Sequence, residues 1–237
     1  MRPLCILVTG EPVAPVLASR GTFADLIQHG GRAFPGSFRV VDVRSAEPPP
    51  LAELAGIIVT GSASSVTERA PWMLATERYL AQAVDRGPPL LGICFGHQLL
   101  GQALGGRVEK NPLGREIGTV TADVVEDDPL LSERRPFTVN TTHMDSVTEL
   151  PRGVRVLART ALEPHAALRF GERAWGVQFH PEFDAGVVRG YINARADIIA
   201  AEGSDPARLH DAAEDAEPGA EVLARFVMLV TEAEKAR

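Results

Sequence analysis

The sequence predicts an α/β fold: a doubly wound, mostly parallel sheet with helices on both faces and an antiparallel extension. Three observations carry this reading. Short apolar, β-branched runs recur in the first hundred residues, each bounded by glycine or proline. Stretches with helical spacing alternate with them, and from about residue 185 the pattern is helical to the end. Near-continuous apolar runs suit strands covered on both faces, and strand–helix alternation is how a parallel sheet is wound.

The predicted strands of the first part are 4–9, 38–43, 56–60 and 89–93. Between the last two, Trp72, Ala75, Tyr79, Leu80, Ala83 and Val84 repeat at helical spacing over 71–85. Pro71 suits a first helical position and Gly87 a stop. A second helix follows Cys94, with Leu99, Leu100, Ala103 and Leu104 turned inward and Gly105-Gly106 ending it. From 107 to 179 the pattern changes to strands and turns, at 116–125, 137–142, 154–159, 166–170 and 174–179. These read as the antiparallel extension. The tail predicts helices over 185–201 and 220–233, with the acidic stretch 211–217 as a solvated turn. At 237 residues the chain suits a single domain, 1–237, rather than two.

Composition narrows the function classes. There are 31 acidic against 24 basic residues, a net charge of -7, and no basic stripe. That argues against nucleic acid and against an anionic membrane surface. The two cysteines, Cys5 and Cys94, are too few for a disulfide scaffold and form no CxxC pair. The apolar run at 4–8 is too short for a signal-peptide core or a membrane span. A cytoplasmic protein is expected. Cys5, inside the first strand, reads as core.

Cys94 differs. In Gly92-Ile93-Cys94-Phe95-Gly96-His97-Gln98 a buried strand runs into the cysteine and a helix leaves directly after it. Gly-x-Cys-x-Gly is the thiol form of the nucleophile elbow, whose glycines let neighbouring backbone pass close to a strained turn. The helix N-terminus favours a thiolate, and the Phe95 N–H would face a developing oxyanion. Composition alone supplies such a glycine pair about once in sixty chains of this make-up.

A thiol nucleophile needs an imidazole, and the imidazole needs a partner to orient it. In Gln178-Phe179-His180-Pro181-Glu182, an apolar strand delivers His180, with Glu182 two residues on. If the segment is extended, both side chains share one side and Glu182 can accept from the ring. His97 reads as a structural residue near the elbow, and His29, His165 and His210 as surface or loop residues. The pairs His143-x-Asp145 and His180-x-Glu182 also admit a metal hydrolase, which would leave the elbow without a purpose. A second oxyanion donor is expected from Thr60-Gly61-Ser62, where Gly61 can present its N–H unobstructed. That loop lacks the Gly-Lys-Ser/Thr ending of a phosphate cradle.

These motifs resemble class I glutamine amidotransferases: Gly-Ile-Cys-Phe-Gly-His-Gln, the upstream Thr-Gly-Ser and the downstream Gln-Phe-His-Pro-Glu. The chain is most similar to stand-alone members related to the glutaminase domain of GMP synthase. Thr9-Gly10-Glu11-Pro12, Asn111-Pro112-Leu113-Gly114-Arg115 and Thr142-His143-Met144-Asp145 extend the likeness along nearly the whole chain. The resemblance implies a flavodoxin-like sheet and a Cys94–His180–Glu182 triad. It also implies an oxyanion hole from Gly61 and Phe95, and Gln98 against the glutamyl part of the substrate. The 142–144 stretch, Thr142, His143 and Met144, is implied to meet substrate through its backbone.

The implied chemistry is thiolate attack on a γ-glutamyl carbonyl, giving a thioester that water hydrolyses, with no metal or organic cofactor. Glutamine is the first expected substrate. A γ-glutamyl peptide such as a glutathione derivative is the alternative, and room on the leaving-group side decides between them. After Glu182 too little chain follows for a synthetase domain. Ammonia would therefore pass to a separate synthetase subunit, or be released by simple hydrolysis. A non-catalytic binding or regulatory protein of the same fold is the remaining reading.

Overall fold

The computed structural model describes residues 1–131 and 135–236. In chain order the strands are β1 (Leu4–Val8), β2 (Phe38–Asp42), β3 (Gly56–Val59), β4 (Leu90–Ile93), β5 (Arg107–Lys110), β6 (Glu116–Val124), β7 (Phe137–His143), β8 (Asp145–Glu149), β9 (Arg155–Arg159), β10 (Ala167–Gly171) and β11 (Ala174–Val177). The helices are α1 (Ala14–Arg20), α2 (Phe23–Gly30), α3 (Pro71–Arg86), α4 (Phe95–Ala103), α5 (Ala185–Ala194), α6 (Ala196–Ala201), α7 (Pro206–Asp211) and α8 (Glu217–Lys235).

Among the described residues one sheet runs β2-β1-β3-β4-β11-β10-β9-β6-β7. The first five strands are parallel neighbours, and from β10 onward each joins antiparallel. The predicted doubly wound sheet with an antiparallel extension is thus the observed one. Strand alternation sorts side chains into two cores. Leu4, Ile6 and Val8 face a layer with Ala24 and Ile27 of α2 and Val222, Phe226 and Val230 of α8. Cys5 and Leu7 face Met73 and Leu80 of α3 and Leu99 and Leu100 of α4. Burial drives the Cys5 thiol up to about 12, against a weaker opposing pull from Arg39, so Cys5 is a packed core residue.

The structure departs from expectation in several places. The predicted helix 185–201 is two helices, broken at Arg195, whose backbone leaves helical geometry at φ -121° and ψ 14°. The strand expected over 174–179 leaves β4 after Val177. Gln178 N–H then bonds Ala166 O and His180 N–H bonds Asn140 O, both at 2.8 Å. The acidic stretch 211–217 is more than a solvated turn, because Asp215 accepts from Ala185 N–H and the Glu214 carbonyl accepts from Asn140. Helices α1, α2 and α7 and the β5–β8 ribbon are additional to the sequence reading.

Candidate active site

The carboxyl ends of β1, β3, β4 and β11 converge on one cleft, where an open α/β sheet places its ligands. Cys94 lies between β4 and α4 with φ 50° and ψ -101°. A non-glycine residue in that region is strained by about 1–3 kcal/mol and must be held there by its surroundings. Cys94 N–H donates to Val177 O at 2.8 Å, tying the elbow to β11. The flanking glycines are required sterically. A Cβ on Gly92 would stand 2.5 Å from the backbone of Gly96, and one on Gly96 would stand 2.5 Å from Val59 O. Phe95 opens α4, so its N–H has no acceptor within the helix.

His180 follows β11 and is buried, and its Nδ1 meets Glu182 Oε1 at 2.8 Å. The expected pair is made, but not by an extended segment. Phe183 N–H bonds back to His180 O at 3.3 Å, so Pro181 and Glu182 occupy the middle of a turn. The ring also stacks on Phe183, centroids 4.0 Å apart, which fixes its plane. Burial alone would strip the imidazole of its charge. The Glu182 carboxylate, which also accepts from the ring, and the Cys94 thiol together outweigh burial and raise the ring's pKa well above its ordinary value.

Gly61 lies against both His180 and Cys94. A Cβ built on it would be 2.9 Å from His180 Cε1 and 3.8 Å from Cys94 Cβ. Its carbonyl accepts from the hydroxyls of Thr9 and Thr60, each 3.0 Å away. Across a trans peptide the N–H points opposite to the C=O, so the Ser62 N–H faces away from that anchor. Ser62, with Ala63, lines the cleft.

Gln98 Nε2 donates to Asp145 O at 2.8 Å and to Gln178 Oε1 at 3.0 Å, holding the amide at the cleft wall. Thr142 O is 4.0 Å from Cys94 Sγ. His143 is the last residue of β7, one residue past the predicted strand end at 142. Its ring faces inward, Nε2 at 3.3 Å from Glu116 and Nδ1 at 3.0 Å from Asp145 O, which leaves its main chain to the cleft. The Asp145 carboxylate takes the Ser65 hydroxyl, so the His143-x-Asp145 pair is not made through that carboxylate. His97 is fully buried, edge-on to Phe170, and burial lowers its pKa to about 3.

The model for the family "glutamine amidotransferase class-I" matches residues 18–194. The chain belongs to that family. Its curated relatives include the glutamine-hydrolysing GMP synthases of Aeropyrum pernix, 38% identical over 133 residues, and Thermosynechococcus vestitus, 43% identical over 137. Each alignment takes in 56% of this chain but only 25% and 24% of those synthases, so the chain spans about a quarter of their length. A glutamine amidotransferase-like protein of Schizosaccharomyces pombe is 27% identical over 213 residues, 80% of this chain and 82% of that one. In fold the chain is similar to a glutamine amidotransferase from Thermotoga maritima, with a TM-score of 0.76, 24% identity, and coverage of 97% and 99% of the two chains.

The amidotransferase cleft also contains residues to which the sequence reading gave no role, although Glu11 and Arg115 lie in quoted motifs. Arg115 and Arg195 both line it, and Arg195 sits at the helix break one residue past the matched segment. Glu11 joins them on the side of His180. The signal that could have flagged Glu11 is its place just beyond β1, at a carboxyl end of the parallel sheet.

Proposed function

We propose that this amidotransferase is a cysteine-dependent glutaminase. Cys94 attacks the γ-carbonyl of glutamine. Electrons pass to the carbonyl oxygen, which the N–H groups of Phe95 and Gly61 stabilise. His180 hands a proton to the departing nitrogen, the C–N bond breaks, and ammonia leaves a γ-glutamyl thioester on Cys94. Water, giving its proton to His180, then cleaves the thioester to glutamate and restores the thiol. Glu182 holds the ring throughout. Gln98 and the backbone of Thr142, His143 and Met144 border the glutamyl group. The observation that carries the reading is Gly61 wedged between Cys94 and His180, with Glu182 behind the ring.

The cleft has two compartments meeting at Cys94. The larger, about 360 Å³, is bordered by Gln98 and the 142–145 stretch and suits the glutamyl group. The smaller, about 70 Å³, is bordered by His180 and Glu11. The leaving group collects its proton from His180 and so belongs in the smaller one. That space holds a few water-sized molecules, which supports ammonia over a peptide as leaving group. Ammonia would pass to a separate synthetase subunit, a role in line with the GMP synthases it resembles.

The test is ammonia and glutamate release by the purified protein, with glutamine and with several γ-glutamyl peptides, beside Cys94→Ala. Cys94-dependent turnover of glutamine supports the proposal. Turnover of peptides without glutamine assigns a γ-glutamyl peptidase instead. No turnover of any donor, alone or with a synthetase partner, assigns a binding role.

A further inference from the structure

Arg195 carries a positive charge that no carboxylate among the described residues pairs. Burial acts against that charge first and the nearby Arg115 guanidinium adds to it, while Tyr191 and the Cys94 thiol favour the charge. Arg115 is itself engaged, with Nε and Nη2 on the Glu202 carboxylate at 2.8 and 3.2 Å. Arg195 has no such carboxylate among the described residues. Its Nη1 donates to Thr142 Oγ1 at 2.8 Å, and its guanidinium lies 5.2 Å from the centre of the Tyr191 ring. A guanidinium offers five N–H donors in a flat fork suited to a carboxylate, and these contacts leave most of the fork unused.

Its position relative to the sulfur is set through one residue. Thr142 presents its carbonyl 4.0 Å from Cys94 Sγ and its hydroxyl to Arg195. Guanidinium and sulfur are thus one residue's breadth apart, on the stretch of wall that the larger compartment shares with the smaller. A glutamyl group attacked at its γ-carbonyl carries its α-carboxylate a few bonds away, on the side opposite the leaving group. Arg195 stands at the break between α5 and α6 and lines the cleft.

We infer that Arg195 is the binding residue for the substrate's α-carboxylate, so that the cleft selects γ-glutamyl donors with a free α-carboxylate. The inference rests on the proposed glutaminase reading for the identity of the donor. It accounts for a cation beside the Cys94 thiol that has no carboxylate partner among the described residues.

The kinetic test compares glutamine with its α-amide, which lacks that negative charge, for the full chain and for Arg195→Ala and Arg195→Lys. Wild type should prefer glutamine by about 10- to 100-fold in kcat/KM, the discrimination a charge-assisted fork supplies. Arg195→Ala should lose that preference through a higher KM for glutamine, with the amide little affected, and Arg195→Lys should keep part of it. Equal losses on both donors would mark Arg195 as structural and overturn the inference. A preference confined to γ-glutamylglycine over γ-glutamylglycinamide would put the recognised carboxylate on the leaving group, and also overturn it. A second arm needs no turnover: calorimetric binding of L-glutamate to Cys94→Ala, with and without Arg195→Ala. Binding lost with Arg195 upholds the inference even if no donor is hydrolysed, in which case the glutaminase reading alone fails. Binding unchanged overturns it.

Discussion

Gly61 passes so close to His180 that a single added carbon would stand 2.9 Å from the imidazole Cε1. The same added carbon would stand 3.8 Å from Cys94 Cβ, so the absent side chain at 61 leaves room for both residues. A strand end, an elbow and a turn, far apart in sequence, meet there.

Gly61→Ala should therefore injure activity far more than stability. The methyl forces the imidazole or the elbow to shift, and a displacement of about 1 Å in a reacting group can cost about 100-fold in rate. We expect kcat/KM for glutamine to fall by about that factor, with a melting temperature close to wild type.

The His180 ring should titrate according to its partners. Its pKa is raised because Glu182 and Cys94 together overcome burial. Removing either, as Glu182→Gln or Cys94→Ala, should lower it, and removing both should leave burial dominant and bring it below the ordinary value of 6.5. Imidazole NMR across a pH series reads this directly; a pKa unmoved by both substitutions would sink the assignment of its partners.

The same ring ties stability to pH. A pKa higher in the folded than in the unfolded chain means the folded state binds the proton more tightly. The stabilisation is complete below about pH 6.5 and fades as pH climbs toward about 10, the folded value. The melting-temperature advantage of wild type over His180→Gln should be largest in acid and shrink steadily through the alkaline range. Growth of that advantage with pH would contradict the sign.

Asp128 offers a contrast away from the cleft. Its side chain is fully buried and accepts from Trp175 Nε1 and Arg169 Nη1, each at 2.8 Å. Removing one partner of such a buried charge network costs about 3–5 kcal/mol. Asp128→Ala should lose that much in denaturant unfolding while kcat of the folded fraction stays near wild type.

The elbow was legible because its chemistry is local. Two glycines, an apolar strand before and an apolar helix after specify a turn that few other sequences can make. The His180–Glu182 contact was legible for a different reason from the true one: an extended segment and a proline turn both bring residues two apart together, and sequence spacing does not separate them. Arg195 was hidden because helical periodicity reads smoothly from 185 to 201, and one residue leaving helical geometry alters no pattern. Strands β5 and β8 escaped because Val108 and Val147 are the apolar side chains they bury, too few for alternation to register. Helix α2 could have been found, since Thr22 and Asp25 form a capping box ahead of Phe23, Ala24 and Ile27.

The bond from Cys94 N–H to Val177 O continues the ladder in which Ile93 faces Val177. Thiol and imidazole thus stand just past the ends of adjoining strands, Cys94 directly after β4 and His180 beyond the end of β11 at Val177. The ladder fixes where the two segments leave the sheet, and Gly61, Phe183 and Glu182 then set where the ring comes to lie. Wall residues outside that set can be exchanged to retune what enters while both strand ends stay in place, which makes the scaffold a starting point for redesigning what the cleft admits.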